Sequence, residues 1–378
     1  MVTPKQRVLA ALSGQSADRF PVAAPYIFLT QCDHWCEITG QPAWTFYEWL
    51  IQDPGAHVRM YEDFRRKLPF DIMQPWPGPT REQRENLEIV HRDEKRFYRD
   101  RRTGELTLLN EDLHQRSGPA NQVQRVFDRD DVRRLVSCRS AKEIIDSGVY
   151  DHIQEARQAF PDSFLMNGVV GTFWQCTGWV GETRLFSLLY DAPELIHYLS
   201  TRLLENTIED IRALAAAGED AIYIDDALTT NDMISVNFYE RFSMPYVKPM
   251  VDEVHALGKK AVLIYFGGVA DRIPQILSLG ADALNVETSM KSYVNDLDEI
   301  SAQVGNKVCL WGNIDPVGTL QNGTEEELRR VMAAQVEIGW RTGRHIISTG
   351  SPITPRTPLT RIRHFIELGG ELGKALEE

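Results

Sequence analysis

The second half of the chain alternates between short apolar runs and longer segments whose apolar residues recur at helical spacing. The short runs are rich in Ile, Val and Leu, which is typical of parallel strands covered on both faces. Strands are therefore predicted at residues 221–225, 260–265, 283–287, 307–311 and 345–348. Helices are predicted at residues 192–217, 236–257, 269–278, 295–304, 324–340 and 358–370. This alternation favours an α/β architecture built from repeated units.

The first half of the chain supplies the strands that a closed barrel still needs. Residues 20–29 predict a first strand with its exit loop, residues 70–74 a second strand, and residues 164–170 a third, followed by a loop at 171–175. Eight strands are counted from residue 21 onward, so a (β/α)8 TIM barrel is the natural closure. A doubly wound open sheet is the weaker alternative, because no Gly-x-Gly-x-x-Gly motif follows any strand.

Three further patterns complete the predicted organisation. Residues 3–14 predict an N-terminal helix with Thr3 as its cap, and Asp191 with Glu194 predicts a capping box for helix 192–217. Two charged, alternating runs within residues 88–110 flank a turn signal at 102–104, which predicts a β-hairpin excursion. Residues 129–160 predict two or three short helices, and the whole chain, 1–378, is expected to form one domain.

Two segments of the chain share one pattern. Gly218–Asp226 and Gly280–Glu287 both run Gly-x-Asp-Ala, followed by three mostly apolar residues and an acid. In both segments a helix is predicted to end at the Gly and a strand to begin at the Ala. Because barrel folds keep their chemistry at the carboxyl ends of parallel strands, these acids are candidate functional residues.

Composition and charge exclude several classes of partner. The 378 residues are 43% hydrophobic and 25% charged, an ordinary globular composition. The formal net charge of -13 argues against nucleic acid or an anionic membrane as the main partner. The five cysteines are scattered and odd in number, so no disulfide framework is predicted and a cytoplasmic location is expected. The polar start does not resemble a signal peptide, and no apolar run is long enough for a membrane span.

Carboxylates end two of the late strands. Asp225 and Asp226 end the predicted fourth strand, and Glu287 ends the sixth. Neighbouring strand residues point to opposite faces, so only one of the two aspartates faces the barrel axis unless both lie beyond the strand end. Close carboxylates raise one another's pKa, which would supply a proton for a leaving phenolate. The alternative role for these acids is a helix cap, a structural pair or a salt bridge.

The remaining candidates are polar and aromatic. Tyr265 follows the fifth strand and is a candidate catalytic proton donor, with simple packing as the alternative. The predicted substrate-binding residues lie in loops at strand ends: His34, Gln74, Trp76, Trp174 and Asn313. His34 between Cys32 and Cys36 also suggests a metal, but the spacing is loose and no second ligand pair lies nearby. No metal ligands are therefore assigned, and zinc held by Asp, Glu and His is kept as an alternative.

Three segments resemble the uroporphyrinogen decarboxylase superfamily. The segment 311–316, Trp-Gly-Asn-Ile-Asp-Pro, with Gly-Thr-Glu-Glu at 323–326, resembles the Gly-Asn-x-Asp-Pro segment of that superfamily. The tail at 349–358 resembles its closing loop, and residues 3–12 with 18–22 resemble its entry segment. The resemblance spans essentially the whole chain and implies a (β/α)8 barrel. The superfamily contains both porphyrinogen decarboxylases and cobalamin-dependent methyltransferases, so activity is left open.

Two departures from the family pattern narrow the implied activity. True uroporphyrinogen decarboxylases carry arginines just after the first strand that hold substrate carboxylates, whereas this chain has no Arg or Lys between Arg19 and Arg59. The thiol-methylating members hold zinc through a His-x-Cys and a later Cys, and the resemblance places Ile264, Phe266 and Ser351 there. None of these three side chains ligates zinc as a thiolate or imidazole does, so a zinc-activated thiol acceptor is not expected.

The resemblance therefore implies the branch of O-demethylase methyltransferases, which pass a methyl group to a separate corrinoid protein. The aromatic loops favour an aryl methyl ether as the donor; their residues are Trp35, Trp76, Phe173, Trp174 and Trp179. The expected acceptor is the cobalt of a cobalamin carried by that corrinoid protein. A homodimer is a further expectation for the oligomeric state. The alternatives are a decarboxylase of a small or porphyrin-like acid and a non-catalytic barrel that binds a corrinoid or tetrapyrrole.

Overall fold

The computed structural model describes residues 2–52, 55–110, 112–113, 125–289 and 292–374. Eight parallel strands are arranged in the order β1-β11-β10-β9-β8-β7-β6-β2, which confirms the predicted (β/α)8 barrel. The strands are β1 (Val22–Ala23), β2 (Ile72–Met73), β6 (Phe164–Val170), β7 (Ala221–Asp225), β8 (Lys260–Tyr265), β9 (Ala283–Val286), β10 (Cys309–Trp311) and β11 (His345–Ser348). A separate antiparallel sheet contains β3 (Leu87–Arg92), β4 (Lys95–Asp100) and β5 (Leu106–Leu108).

Asp71 joins the two edge strands, β1 and β2, and so completes the ring. Its main-chain N–H donates to the carbonyl of Val22 at 3.0 Å, and its carboxylate accepts from the Val22 N–H at 2.8 Å. The same carboxylate accepts from Arg7 at 2.6 Å and from Arg19 at 2.7 Å. Two guanidinium groups therefore neutralise the buried carboxylate between β1 and β2, the two end strands of the sheet order.

Helices enclose the barrel and connect its strands. They are α1 (Pro4–Ser13), α2 (Ile27–Asp33), α3 (Trp35–Thr39), α4 (Thr45–Ile51), α5 (His57–Lys67), α6 (Arg81–Asn86), α7 (Arg129–Leu135), α8 (Ala141–Asp146), α9 (Asp151–Ala159), α10 (Thr172–Val180), α11 (Glu182–Asp191), α12 (Pro193–Ala217), α13 (Val236–Phe242), α14 (Met244–Ala256), α15 (Ile273–Ser278), α16 (Leu297–Val304), α17 (Glu325–Thr342) and α18 (Leu359–Leu372). Within the described ranges, no helix has the length and apolar character needed to cross a membrane.

Several predicted elements have the expected bounds, and four predictions are wrong. The helix predicted at 236–257 is two helices, α13 and α14, which meet at Ser243. The strands at 164–170, 221–225, 260–265 and 345–348 are confirmed residue for residue. The predicted capping box of α12 is wrong, because Asp191 ends α11 and Ala192 at the N-cap makes no side-chain hydrogen bond. The predicted loop at 171–175 is helix α10, which begins at Thr172 directly after Gly171. The first strand is only Val22–Ala23, and helix begins again at Ile27.

The predicted hairpin excursion is present but larger than expected. The turn predicted at 102–104 joins β4 to β5, as the pairing of Phe97 with Leu108 shows. A second turn, at Asp93 and Glu94, joins β3 to β4 and was not predicted. Both residues of that turn have positive φ angles, of 48° and 60°, although neither is glycine. Because the turn carries no Gly or Asn, its sequence gives no hairpin signal.

Alternate strand residues separate the barrel interior from the outer helical layer. The interior cluster contains Ala221 and Tyr223 of β7 and Val262 and Ile264 of β8, among others. Residues between them, such as Ile222 and Leu263, belong to the cluster that packs against the helices. Helix α1 closes the amino end of the barrel with Val8, Ala11 and Leu12. At the open end, the same alternation therefore decides which side chains face the barrel axis.

The sequence repeat corresponds to a structural repeat. Asp220 accepts from the main-chain N–H of Leu165 at 3.0 Å, and Asp282 accepts from that of Ala261 at 2.9 Å. In each case the aspartate before one strand pairs with the start of the preceding strand. The repeat aligns Asp225 with Glu287, so these two acids occupy the same place on β7 and just beyond β9.

Candidate functional site

Four strand ends bring side chains to the open end of the barrel, which we call the barrel mouth. Continuing the inward alternation of β7, β8, β9 and β10 beyond their interior residues leads to Asp225, Phe266, Glu287 and Asn313. Gln74 follows the inward-facing Ile72 of β2 in the same way. The mouth therefore combines carboxylates, amides and an aromatic ring at the carboxyl ends of parallel strands, where barrel enzymes place their active sites.

Asp225 is a fully buried carboxylate with two hydrogen-bond donors. The Tyr26 hydroxyl donates to Oδ2, and the Ala227 main-chain N–H donates to Oδ1 at 3.0 Å. Burial raises the pKa of Asp225 to about 7, although the hydrogen bond from Tyr26 lowers it. Near neutral pH this carboxyl group therefore both holds and releases a proton, which general acid–base chemistry requires.

Tyr26 lies in an aromatic cluster at the mouth and was missed by the sequence analysis. Its ring centroid lies 5.4 Å from that of Phe28, 5.5 Å from Tyr223 and 5.7 Å from Phe266. Phe28 in turn meets Trp76 at 5.0 Å, so the cluster continues to the loop after β2. The one sequence feature that could have indicated Tyr26 is its place, as an aromatic residue three positions beyond the first barrel strand.

Glu287 has an environment similar to that of Asp225. Its carboxylate accepts from the Ser351 hydroxyl at 2.7 Å and from the Tyr293 hydroxyl. Its main-chain oxygen accepts from the side-chain amide of Asn295 at 2.9 Å and from that of Asn313 at 3.3 Å. The structure thus gives each of the two matched acids a tyrosine hydroxyl donor, and it places Asn313 where it supports the loop that carries Glu287.

Asp226 lies behind the barrel wall. Its Oδ2 accepts from the Thr229 hydroxyl at 2.7 Å and from the Ser243 hydroxyl. Ser243 is the N-cap of α14, a helix of the outer layer. The carboxylate is fully buried, and burial raises its pKa to about 6. The alternation of β7 thus separates the two adjacent aspartates, and a location outside the mouth favours a structural role for Asp226.

Tyr265 also faces the outer layer. Its hydroxyl lies 2.7 Å from that of Tyr239 on α13, and both residues belong to the cluster outside the barrel. Burial raises the pKa of Tyr265 well above its ordinary value. This placement favours the packing alternative over proton donation to a substrate at the mouth.

The predicted substrate-binding residues divide into two groups. Gln74 accepts from the Ile27 main-chain N–H at 2.6 Å, and its Nε2 has no partner within the described residues. Trp76 touches the aromatic cluster through Phe28, so both residues are at the mouth. His34 pairs with Glu37 at the end of α2, and half-buried Trp174 lies on α10. Neither His34 nor Trp174 contacts Asp225 through a hydrogen bond in the described part of the chain.

The positions that would hold zinc in thiol-methylating members do not suit a metal. Ile264 lies in the apolar barrel interior, and Phe266 packs against Tyr26. Ser351 is hydrogen-bonded to Glu287. In the ranges that the structure describes, no group of three or more His, Cys, Asp or Glu side chains is arranged to hold a metal ion. These donors therefore do not fit a thiolate–imidazole zinc site.

The fold and site define a (β/α)8 barrel enzyme with paired carboxylates at the strand ends. The sequence profile described as uroporphyrinogen decarboxylase (URO-D) matches residues 112–372, and the chain belongs to this family. The uroporphyrinogen decarboxylase of Coxiella burnetii is 26% identical over 343 residues, which cover 84% of this chain and 89% of that protein. The chloroplastic enzyme of Nicotiana tabacum is 24% identical over 342 residues, which cover 85% and 81%. A shorter match, to uroporphyrinogen decarboxylase of Tolumonas auensis, is 26% identical over 229 residues, 58% of this chain and 62% of that protein.

A solved structure has the same fold over nearly the whole chain. A methyltransferase from Methanosarcina mazei aligns with a TM-score of 0.69 at 18% identity. The alignment covers 98% of this chain and 99% of that protein. The comparison therefore shows a shared fold, whereas the activity must be argued from the site.

Proposed function

We propose that the protein is a methyltransferase that moves a methyl group from a small methylated donor, preferably an aryl methyl ether, to the cobalt of a corrinoid protein. The observation that carries the proposal is the composition of the barrel mouth. Two buried acids, Asp225 and Glu287, follow strand ends at the mouth, and Asp225 accepts from Tyr26. Tyr26 belongs to the aromatic cluster, called the aromatic wall below, whose other members are Phe28, Trp76, Tyr223 and Phe266. An aromatic wall suits a flat, apolar donor, and acids suit a leaving group that must be protonated.

The charges near the first strand argue against a substrate with many carboxylates. Arg19 precedes β1, and its guanidinium is bound to Asp71 and to the Phe20 carbonyl. No Arg or Lys follows until Arg59 in the sequence. A polyanionic substrate would therefore meet Asp225 and Tyr26 in this loop region without an arginine clamp, at a high cost in desolvation.

In this proposal the protein positions the donor and stabilises its leaving group. The acceptor, cob(I)alamin of a corrinoid protein, is a strong nucleophile and needs no activation by the barrel. Asp225 and Glu287 would manage the charge that develops on the donor oxygen as its bond to the methyl carbon breaks. Orientation of the methyl group toward the open barrel end would supply much of the rate enhancement. The corrinoid protein would dock over the same end, since the methyl group must leave by that path.

A decarboxylase is the second candidate function, and the names of the curated relatives favour it. These relatives are uroporphyrinogen decarboxylases at 24–26% identity. A smaller, less charged acid would avoid the missing arginine clamp. In that case Asp225 would protonate the carbon from which carbon dioxide departs.

One anoxic assay separates the candidates. The protein is mixed with cob(I)alamin under reducing conditions, and aryl methyl ethers, methylamines or methyl thioethers are added one at a time. Conversion to methylcobalamin, followed by absorbance, supports the methyltransferase and identifies its donor class. If no donor reacts even with a corrinoid protein supplied, while an added acid releases carbon dioxide, the decarboxylase is favoured. Full activity in both Glu287→Ala and Asp225→Ala would refute the proposed site.

A further inference from the structure

Tyr26 has an unusual backbone conformation for a non-glycine residue. Its φ and ψ angles, 52° and 44°, lie in the left-handed helical region. The other described non-glycine residues with positive φ are Asp93 and Glu94, which form the tight turn between β3 and β4. Tyr26 instead lies in the turn between β1 and α2, at the N-cap of that helix. A strained conformation of this kind persists only where surrounding contacts enforce it, and such sites are often functional.

Contacts from two other strands enforce this conformation. The Gln74 side chain accepts from the Ile27 main-chain N–H at 2.6 Å, directly after Tyr26. The Tyr26 carbonyl accepts from the Leu29 N–H at 2.8 Å, which begins the turn into α2. The Asp225 carboxylate accepts the Tyr26 hydroxyl. The tyrosine is therefore held at the main chain by β2 and at the hydroxyl by β7.

The strained backbone aims the Tyr26 hydroxyl at a carboxylate that has no exposure of its own. Asp225 is 0% exposed, whereas Tyr26 is half-buried at the mouth. The rings of Tyr223 and Phe266 pack against the Tyr26 ring, at 5.5 Å and 5.7 Å, beside the hydroxyl that binds Asp225. A donor stacked on the aromatic wall would thus meet the Tyr26 hydroxyl before it met the carboxyl group.

We propose that Tyr26 is the catalytic residue that protonates the leaving oxygen, with Asp225 resupplying the proton. The inference rests on the proposed methyl transfer and assigns a further residue to that site. In the step, the O–CH3 bond of the donor breaks and the methyl carbon bonds to cobalt, which supplies both electrons of the new bond. The leaving oxygen keeps the electron pair of the broken bond and takes the proton of the Tyr26 hydroxyl. The step starts from the protonated carboxyl, which donates to the tyrosine oxygen in the reverse direction of the hydrogen bond between Tyr26 and an ionised Asp225. The Asp225 carboxyl passes this proton to the tyrosine oxygen and is later reprotonated by water.

The shifted pKa values of Tyr26 and Asp225 are consistent with this proton transfer. Burial raises the pKa of Asp225 to about 7, so a substantial fraction of the carboxyl groups is protonated at neutral pH. Burial also raises the pKa of Tyr26, so a free tyrosinate is unfavourable and the two proton transfers must be coupled. A tyrosine that merely held the loop in place would not need a protonated partner.

The test compares Tyr26→Phe with the wild type across aryl methyl ethers whose leaving phenols differ in acidity. Single-turnover methyl transfer to an excess of a corrinoid protein in the cob(I)alamin state is followed by absorbance. With anisole-type donors, Tyr26→Phe is expected to slow transfer about 100-fold. With cyano-substituted donors the loss should shrink to a few-fold, because a weakly basic leaving oxygen needs no proton. Tyr246→Phe is the matched control, since it removes a tyrosine hydroxyl bonded at 2.8 Å to His197 in the outer helical layer.

Further measurements keep the assignment falsifiable. Asp225→Asn, which cannot resupply the proton, should show the same dependence on the leaving group as Tyr26→Phe. Thermal melts of both variants establish that they fold. An equal slowing across all donors, or no slowing in Tyr26→Phe, would overturn the role of Tyr26 while leaving the methyltransferase intact. If the wild type transfers no methyl group from any donor, the proposed function and this inference fail together.

Discussion

The carboxylates of Asp225 and Asp226 lie on opposite faces of the barrel wall, although the residues are adjacent in the chain. Asp225 accepts from the Tyr26 hydroxyl at the mouth, whereas Asp226 accepts from Thr229 and from Ser243 at the start of α14. The separation follows from the two-residue period of β7, whose last residue is Asp225. The two acids should therefore differ in function despite having similar burial.

Replacement of each aspartate by asparagine tests this division. Asp225→Asn is expected to lower methyl transfer about 100-fold, because the amide cannot supply a proton. Asp226→Asn should change the rate per folded molecule by only a few-fold, since its side chain contacts the outer layer. The rate is measured as methylcobalamin formation, and the folded fraction is taken from urea unfolding. A loss of similar size in both variants would place Asp226 in the reaction as well.

Both Asp225 and Asp226 were kept as candidates in the sequence analysis, although the repeat offers a register that distinguishes them. The register of the repeat aligns Asp225 with Glu287 and Asp220 with Asp282. In both copies the aspartate of the second pair accepts from a main-chain N–H at the start of the preceding strand. The positions of the later strands, the barrel class and the acids at strand ends were predictable because they depend on local alternation and repeat. The role of Tyr26 was not predictable, because it depends on a left-handed backbone held by Gln74 from another strand. The outward direction of Tyr265 follows from alternation in β8, but only once the interior residues of that strand are known.

Truncation of the aromatic wall should weaken binding of the donor more than the chemical step. Trp76→Ala removes the ring that meets Phe28 at 5.0 Å, and the KM for an aryl methyl ether is expected to rise about 10-fold. Trp340→Ala is the control, because Trp340 is 43% exposed and packs on Phe20, before the first strand. Steady-state kinetics with saturating corrinoid protein gives KM and kcat separately. An unchanged KM in Trp76→Ala would mean that the donor binds elsewhere.

Glu219 is expected to make stability depend on pH. It is fully buried, accepts from the Asn167 amide at 2.8 Å, and burial raises its pKa to about 8 from 4.5. Because the folded state binds this proton more tightly than the unfolded chain, the contribution is complete below about pH 4.5 and is lost as pH rises through about 8. Between pH 5.5 and 8.5, the free energy of unfolding should fall by about 3 kcal/mol through Glu219.

The comparison that isolates Glu219 is the difference between the wild type and Glu219→Gln at each pH. Asp225 and Asp226 also have raised pKa values and titrate within the same range in both proteins. The glutamine variant should therefore lose less stability than the wild type on going to pH 8.5. Exposed Glu205, paired with Arg202, provides the control variant Glu205→Gln, whose curve should parallel that of the wild type. Parallel curves for Glu219→Gln and the wild type would show that the Glu219 proton does not contribute.

Asp71 should contribute more to stability than any ordinary surface acid, because it closes the barrel between β1 and β2. It is 2% exposed and accepts from Arg7, Arg19 and the Val22 main chain. Asp71→Ala would leave Arg19 with only the Phe20 carbonyl, leave Arg7 with Asp18 as its one carboxylate partner, and remove a bond to β1. We expect the free energy of unfolding to fall by about 3–5 kcal/mol, measured from urea transitions.

The matched control for Asp71 is Asp130→Ala, which breaks the exposed pair with Arg133. Those side chains are 85% and 64% exposed, so water screens their attraction and the expected cost is much smaller than that of Asp71→Ala. Both aspartates pair with arginine. The difference between the two stability losses therefore measures the effect of burial and of the additional hydrogen bonds that Asp71 accepts. If Asp71→Ala cost no more than Asp130→Ala, the ring would be held closed by apolar packing instead. In that case the short strands β1 and β2 would need no ionic link to bring Tyr26 and Gln74 together at the mouth.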